Sequence, residues 1–271
     1  MKDKTLERGK MDTERFQSNP FFLRIWGDYA MFADPLTKGG GEKLSYQIPT
    51  YQALKGIVEA VYWKPVLYYV IDEIKIMKPI VTETHGIRAP LNNGGNDLNY
   101  YTYLRDVEYW LKFHFEWSGN RPDLANDRNE IKHQEILIRS MRRGGRRDVF
   151  LGTRECVGYV DYLQQREYEE AKTAYEGEKR SFGLQFHSFI YPDEHPNLQT
   201  NEAKLVSNFS TTLMEDGRIQ FCRPEECVVH HELSEYTIRK FGSDEYTSVN
   251  EEFQAYLEDE VNFPMVERKE L

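Results

Sequence analysis

The sequence predicts an α+β protein: a ferredoxin-like (RRM-like) N-terminal domain of order βαββαβ with a long β-ribbon, then a small C-terminal antiparallel β-sheet. Three observations carry this. Alternating and helix-periodic segments follow one another as strand, helix, strand, strand, helix, strand between Pro20 and Val160. Eighteen Tyr and fifteen Phe, many in alternating runs, suit sheet faces rich in rings. Beyond Arg180, three more β-like runs surround a hairpin signal at Asp216-Gly217.

The elements follow in chain order. Phe21-Phe22-Leu23-Arg24-Ile25-Trp26 reads as a strand closed by Gly27-Asp28, and a loop then runs through Gly39-Gly40-Gly41. Thr50 is a plausible N-cap, and Leu54, Ile57, Val58, Val61 and Tyr62 recur at helical spacing until Pro65 stops the helix. Val66 to Lys78 alternates as a long strand. A loop containing Asn92-Asn93-Gly94-Gly95 follows, and Tyr101 to Trp117 alternates again, so the two runs predict an extended antiparallel ribbon. A second helix spans about Pro122 to Arg143, with Ile131, Glu135, Ile138 and Arg142 on a mixed face. A strand begins at Val149-Phe150-Leu151 and resumes near Val157 to Val160. Asp161 to Arg180 is charged and serves as a helical or irregular connection. Phe182–Tyr191, Ala203–Met214 and Arg218–Phe221 form the C-terminal sheet.

At 271 residues the chain can hold two small domains. The expected division is a flexible extension over 1–19, a ferredoxin-like domain over 20–161, a C-terminal sheet domain over 162–242 and an acidic tail over 243–271. From Ser243 the tail carries nine acidic against two basic residues. Met11 is an equally good start codon. No run approaches about twenty consecutive apolar residues, so no membrane partner is expected. The polar start lacks a signal-peptide core, which predicts a cytoplasmic protein with reduced thiols. Cys222 and Cys227 have four residues between them, with His230 and His231 nearby. No second Cys/His pair at zinc-finger spacing accompanies them, so the three cysteines read as ordinary thiols, and no metal or cofactor is expected.

Charge is distributed unevenly. The chain has a formal net charge of −10, yet Arg128 to Arg154 holds eight Lys/Arg against three Asp/Glu. Arg139, Arg142, Arg143, Arg146 and Arg147 surround Gly144-Gly145, which reads either as a local polyanion site or as a solvated arginine-rich helix end.

The sequence contains no Walker loop, dinucleotide-binding glycine pattern, nucleophile elbow or metalloprotease helix. Its acidic residues are not grouped as a two-metal nuclease needs. A nuclease built on this chain is therefore expected to act on RNA without metal, where the substrate's own 2′-hydroxyl attacks the neighbouring phosphate. That reaction needs proton transfer, which suits histidine, and a cation for the phosphorane, which suits lysine or arginine. Lys132-His133 supplies both just ahead of the arginines. Taken alone, Lys132-His133 is also compatible with a solvated pair, and Tyr62 with a half-buried core ring.

Resemblance separates these readings. Trp26-Gly27-Asp28-Tyr29-Ala30, Asp34-Pro35-Leu36-Thr37, Glu42-Lys43-Leu44-Ser45-Tyr46, Pro49 to Gly56 and Tyr62-Trp63-Lys64-Pro65 resemble the CRISPR-associated endoribonuclease of the type I-C (Dvulg) subtype, in the RAMP superfamily. So do Asp127-Arg128-Asn129-Glu130, Lys132-His133, Gly144-Gly145-Arg146-Arg147-Asp148 and Phe150 to Cys156. The resemblance covers about Pro20 to Cys227. It implies an enzyme that cuts the repeat hairpin of precursor CRISPR RNA and stays with the mature guide RNA and other protein subunits in the type I-C interference complex, meeting target DNA only through that complex. The family's catalytic residues fall on Tyr62, Lys132 and His133. Expected roles are proton transfer by His133, charge stabilisation by Lys132 and orientation of the 2′-hydroxyl or phosphate by Tyr62. The products are a 2′,3′-cyclic phosphate and a 5′-hydroxyl. Arg139, Arg142, Arg143, Arg146 and Arg147 would meet RNA phosphates, Gly144 and Gly145 would let backbone approach closely, and Tyr46 would stack on a base or pack. The alternative from another class is a non-catalytic subunit that holds guide RNA. Non-specific DNA cleavage is a third possibility and would need metal. The N-terminal extension, the acidic tail and the Asp161–Arg180 connection depart from the family pattern.

Overall fold

The computed structural model describes residues 16–34, 37, 42–91, 94–119, 122–191, 204–235 and 253–254. The chain divides into a unit of residues 1–236 and a second of 237–271. Within the second, Phe253 and Gln254 are helical and exposed; the rest of the acidic tail, like residues 1–15 and the Gly39-Gly40-Gly41 loop, lies outside the described residues.

The first unit is dominated by sheet. Its strands are β1 (Phe21–Ala30), β2 (Glu42–Leu44), β3 (Leu67–Ile76), β4 (Val81–Pro90), β5 (Asn96–Trp117), β6 (Val149–Phe150), β7 (Val157–Tyr162), β8 (Lys179–Ile190), β9 (Lys204–Glu215), β10 (Arg218–Gln220) and β11 (Val229–Glu235). Among the described residues three α-helices accompany them: α1 (Tyr51–Val61), α2 (Glu130–Arg142) and the short α3 (Gln165–Glu170). The main path of the sheet is β11-β9-β10-β3-β5-β1-β7-β6, with β2 and β4 on β5 and β8 on β9. Every pairing is antiparallel except β2 with β5.

The 22-residue β5 is the spine. Its C-terminal half lies between β1 and β3, pairing Phe113 with both Phe21 and Ile71. Leu111, Phe113 and Phe115 alternate inward and are fully buried. Its N-terminal half pairs with β4 over Val81–Pro90. The expected ribbon is therefore present, but most of the segment read as loop between its arms is strand. The apolar alternation that marks a strand is weak there because β4 has no buried face: Glu83, His85, Ile87 and Ala89 are only half-buried on one side, and the other side is exposed. Asn92 and Asn93 lie outside the described residues.

Phe16 to Ser18, placed by sequence in the extension, contact β5: the Phe16 ring stacks on Trp117 at 4.7 Å, Gln17 forms a β-bridge with Glu116, and the Ser18 N–H donates to the Phe115 carbonyl at 3.0 Å. The C-terminal strands pair as expected. The β9–β10 hairpin turns at Asp216 and Gly217, both at positive φ, and β10 pairs with β3, which makes the sheet continuous. The edge strand β11 is absent from the sequence reading; all seven of its residues are exposed, so no buried face announces it.

Both long helices pack their apolar stripes on the sheet. Thr50 caps α1 by accepting from the Ala53 N–H, and Leu54, Ile57, Val58 and Val61 enter the core. In α2, Asn129 caps by accepting from Lys132 N–H, and the buried face is His133, Leu137 and Met141 at i, i+4 and i+8.

The turn after β6 is tightly constrained. Gly152 has φ +95°, and a Cβ there would lie 1.9 Å from the Met31 carbonyl oxygen. Gly152→Ala should destabilise the fold by about 3 kcal/mol or more, combining backbone strain with overpacking. Gly177 has φ +77° with open space around it, so Gly177→Ala should cost only about 1 kcal/mol. Urea unfolding of the two variants tests the difference.

Candidate active site

The end of α1 and the start of α2 meet at a buried hydrogen bond between the Tyr62 hydroxyl and His133 Nδ1, 2.9 Å apart. Tyr62 leaves the helix in an extended conformation (φ −157°, ψ 130°), and its carbonyl accepts from the Tyr69 hydroxyl at 2.8 Å, which fixes where its ring points. His133 has no exposed surface and Tyr62 has 3%.

The other ring nitrogen, His133 Nε2, lies 2.8 Å from the Asp127 carbonyl oxygen. A carbonyl only accepts, so Nε2 carries the proton and Nδ1 receives the hydrogen bond donated by Tyr62. Trp117 closes the pocket edge-on to the imidazole, with ring centroids 5.8 Å apart.

Burial holds the His133 pKa below the ordinary imidazole value. The Asp127 carbonyl works against that shift, and the Lys132 ammonium adds to it. Burial likewise raises the Tyr62 hydroxyl, with help from the Asp127 charge; Arg146 pulls it back down. The resting pair is thus a neutral phenol donating to a neutral imidazole. Lys132 is half-exposed and ion-paired with the Asp127 carboxylate, which is held below its usual pKa chiefly by that contact. The same carboxylate lies 3.8 Å from His133 Nε2, close enough to stabilise an imidazolium.

The arginine segment adjoins this site because its backbone caps α1. After α2, Gly144 (φ +81°) and Gly145 (φ +102°) reverse the chain, and the N–H groups of Arg146 and Arg147 donate to the carbonyls of Val61 and Ala60, both at 3.1 Å. A Cβ on Gly145 would lie 3.2 Å from the Arg147 carbonyl oxygen and 3.7 Å from Val61 Cα. The glycine pair therefore has a structural job that sequence alone did not reveal. Arg139, Arg142, Arg143, Arg146 and Arg147 are all exposed, and Arg142 lies over the Tyr162 ring at 5.0 Å.

Tyr46 is engaged elsewhere. It is half-buried, packs against the core and takes the Phe186 N–H on its hydroxyl at 3.5 Å. Asp127, Trp117 and Lys64, whose charge reaches His133 and Asp127, are site residues that the sequence reading left unassigned. Lys64 and Asp127 lie inside the motifs that carry the family resemblance, which was the available signal.

Residues 22–222 match the Cas_Cas5d family model, described as CRISPR-associated protein (Cas_Cas5). The chain belongs to this family. A curated member from Mannheimia succiniciproducens, named CRISPR pre-crRNA endoribonuclease Cas5d, is 31% identical over 150 residues, spanning 47% of this chain and 64% of the relative's length. A crystal structure described as that of a CRISPR-associated protein is 40% identical, with TM-score 0.69 over 80% of this chain and 99% of the other. A functionally uncharacterized Streptococcus mutans protein is 44% identical, with TM-score 0.67 over 80% of this chain and all of its own. Among the described residues no helix is long and apolar enough to cross a membrane.

Because the native imidazole is held neutral, stability linked to His133 is fully present above about pH 6.5 and should decline as pH falls toward the lowered folded pKa. Asp127→Asn removes a nearby negative charge but keeps the backbone carbonyl, so it should lower the His133 pKa further. Imidazole proton NMR across pH measures both.

Proposed function

We propose that this protein is a metal-independent endoribonuclease that cuts the repeat hairpin of precursor CRISPR RNA and retains the mature guide as a subunit of the type I-C interference complex. The observation that carries the reading is the convergence of Tyr62, Lys132 and His133 beside the arginine loop. The name of the Mannheimia relative supports the substrate.

The geometry supports a relay in place of direct attack by histidine. His133 has no exposed surface while Tyr62 keeps 3%, so in this reading the 2′-hydroxyl proton passes to the Tyr62 oxygen as that hydroxyl's own proton passes to His133 Nδ1. The 2′-oxygen bonds to phosphorus, the bond from phosphorus to the 5′-oxygen breaks, and the resulting imidazolium faces the Asp127 carboxylate. Lys132 is the exposed cation that can turn from Asp127 to the phosphorane and protonate the departing 5′-oxygen. The products are a 2′,3′-cyclic phosphate and a 5′-hydroxyl. Arg139, Arg142, Arg143, Arg146 and Arg147 hold hairpin phosphates. Gly144 and Gly145 set the loop that presents the last two, and Tyr46 serves packing.

We also read the fold as ferredoxin-like and retain the division at about residue 161. The neighbouring strands β7-β1-β5-β3, all antiparallel, with α1 between β1 and β3 and α2 between β5 and β7, support this reading.

The protein should cleave a cognate repeat hairpin in excess chelator and leave whole a hairpin with one 2′-deoxy sugar at the scissile nucleotide. Cleavage of the deoxy substrate refutes the chemistry, and tight binding without cleavage of the all-ribose hairpin refutes the enzyme reading. Tyr62→Phe should lower the single-turnover rate by about two to four orders of magnitude with hairpin affinity nearly unchanged. Arg146→Ala with Arg147→Ala should weaken binding and flatten its salt dependence, by about one unit of log–log slope for each phosphate that is no longer neutralised.

A further inference from the structure

Among the described residues outside the proposed active site, one cluster brings metal-ligating groups from separate elements to a single point. Cys222 follows β10, and Cys227 follows a single 3-10 turn over Pro224–Glu226. Their sulfurs lie 3.7 Å apart. His187, from β8, aims Nε2 at Cys222 Sγ from 3.9 Å, and all three donor atoms lie within 4.8 Å of one another. The histidine that joins the pair is thus neither His230 nor His231, the two close in sequence.

We propose that His187, Cys222 and Cys227 bind one zinc ion, or a divalent transition cation of similar softness. A tetrahedral zinc with bonds of about 2.3 Å to sulfur and about 2.0 Å to nitrogen has ligand-to-ligand edges of about 3.8 Å between sulfurs and about 3.6 Å from sulfur to nitrogen. The sulfur–sulfur separation of 3.7 Å and the Cys222–His187 separation of 3.9 Å lie within a few tenths of an ångström of those edges, and a side-chain adjustment within the 4.8 Å cluster brings Cys227 and His187 to the same spacing.

The surroundings are organised for a histidine ligand. His187 is buried and stacked on the Tyr51 ring with centroids 4.5 Å apart. Its Nδ1 is 2.9 Å from the Ser188 hydroxyl. With the proton on Nδ1 donated to that oxygen, the Nε2 lone pair faces the sulfurs, the arrangement that orients metal-binding imidazoles. Asn208 braces the other side: its amide donates to the Pro224 carbonyl at 2.9 Å and lies 3.5 Å from the Ser188 hydroxyl. The neighbouring Arg223 guanidinium is already paired with Glu116 at 2.8 and 2.9 Å, so its charge is compensated locally.

Binding forms two metal–sulfur bonds and one metal–nitrogen bond and releases the two thiol protons to solvent. The neutral imidazole and two thiolates then balance the dication. Both cysteines are half-buried, and a water would complete the tetrahedron. The ion would tie β8 to the segment after β10, a structural role compatible with RNA cleavage in chelator.

The test exploits the chain's having three cysteines. Full-length protein carrying Cys156→Ser, which removes the thiol outside the cluster, is stripped of metal under reducing conditions and titrated with cobalt(II) chloride, then competed with zinc. One equivalent should produce thiolate-to-cobalt charge-transfer absorption, which zinc abolishes, and added zinc should raise the thermal midpoint progressively. Cys222→Ser and His187→Gln should each weaken cobalt binding at least tenfold. The absence of charge-transfer absorption in the reduced Cys156→Ser protein overturns the proposal, even where the other variants fail to fold; so does a Cys222–Cys227 disulfide resistant to reductant. Repeat cleavage by the stripped protein is scored separately, so loss of the metal site and loss of the nuclease are distinct outcomes.

Discussion

The hydrogen bond from the Tyr62 hydroxyl to His133 is the constraint around which the candidate active site is arranged. It crosses seventy-one residues of sequence and is buried, with Tyr62 alone of the two keeping a little exposed surface. Burying a phenol and an imidazole is tolerable only when their polar atoms are satisfied, since an orphaned group costs about 1–3 kcal/mol. Here the Asp127 carbonyl, the Tyr62 hydroxyl and His133 complete one another. The helix ends are placed to make this possible. The Asn129 cap starts α2 so that His133 occupies the inward stripe with Leu137 and Met141, and the backbone of Arg146 and Arg147 secures the last turn of α1 just ahead of Tyr62.

That same backbone connection explains why a basic loop sits beside the buried pair in an acidic protein. Two glycines at positive φ fold the loop onto α1, and the guanidinium of Arg146 is near enough to act on the Tyr62 hydroxyl. Architecture and electrostatics therefore share one segment. The Lys132–Asp127 pair adds a resting position for the cation proposed to meet the phosphate. Exposed ion pairs contribute only about 0–1 kcal/mol, so an incoming phosphate can displace Asp127 at little cost.

Much of this was legible in the sequence, for identifiable reasons. The Thr50 cap, the α1 stripe, the Asp216-Gly217 turn and the alternating β5 each depend on local chemistry, and each forms as the local pattern dictates. The pairing of Tyr62 with His133 was legible only through family resemblance: the helical pattern points to Ile131, Glu135, Ile138 and Arg142 and leaves Lys132-His133 compatible with a solvated pair, whereas the buried stripe is His133, Leu137 and Met141 and Ile131 is exposed. What escaped were features set by distant neighbours or without an apolar face. The strand β11 is exposed throughout, and β4 alternates only between half-buried and exposed, so neither has a buried apolar face. Asp127 acts on His133 through a backbone carbonyl, which no side-chain motif encodes. His187 joins Cys222 and Cys227 only because β8, β9 and β10 are laid together in the sheet.

A double-mutant cycle on Tyr62 and His133 tests the relay most directly, with single-turnover cleavage of the repeat hairpin in chelator as the readout for Tyr62→Phe, His133→Gln and the pair. If the proton travels through the phenol to the imidazole, the two groups act as a unit, and the double variant should be no slower than the slower single variant, within about threefold. Multiplicative losses, or a His133→Gln enzyme that cleaves at the wild-type rate, would contradict it.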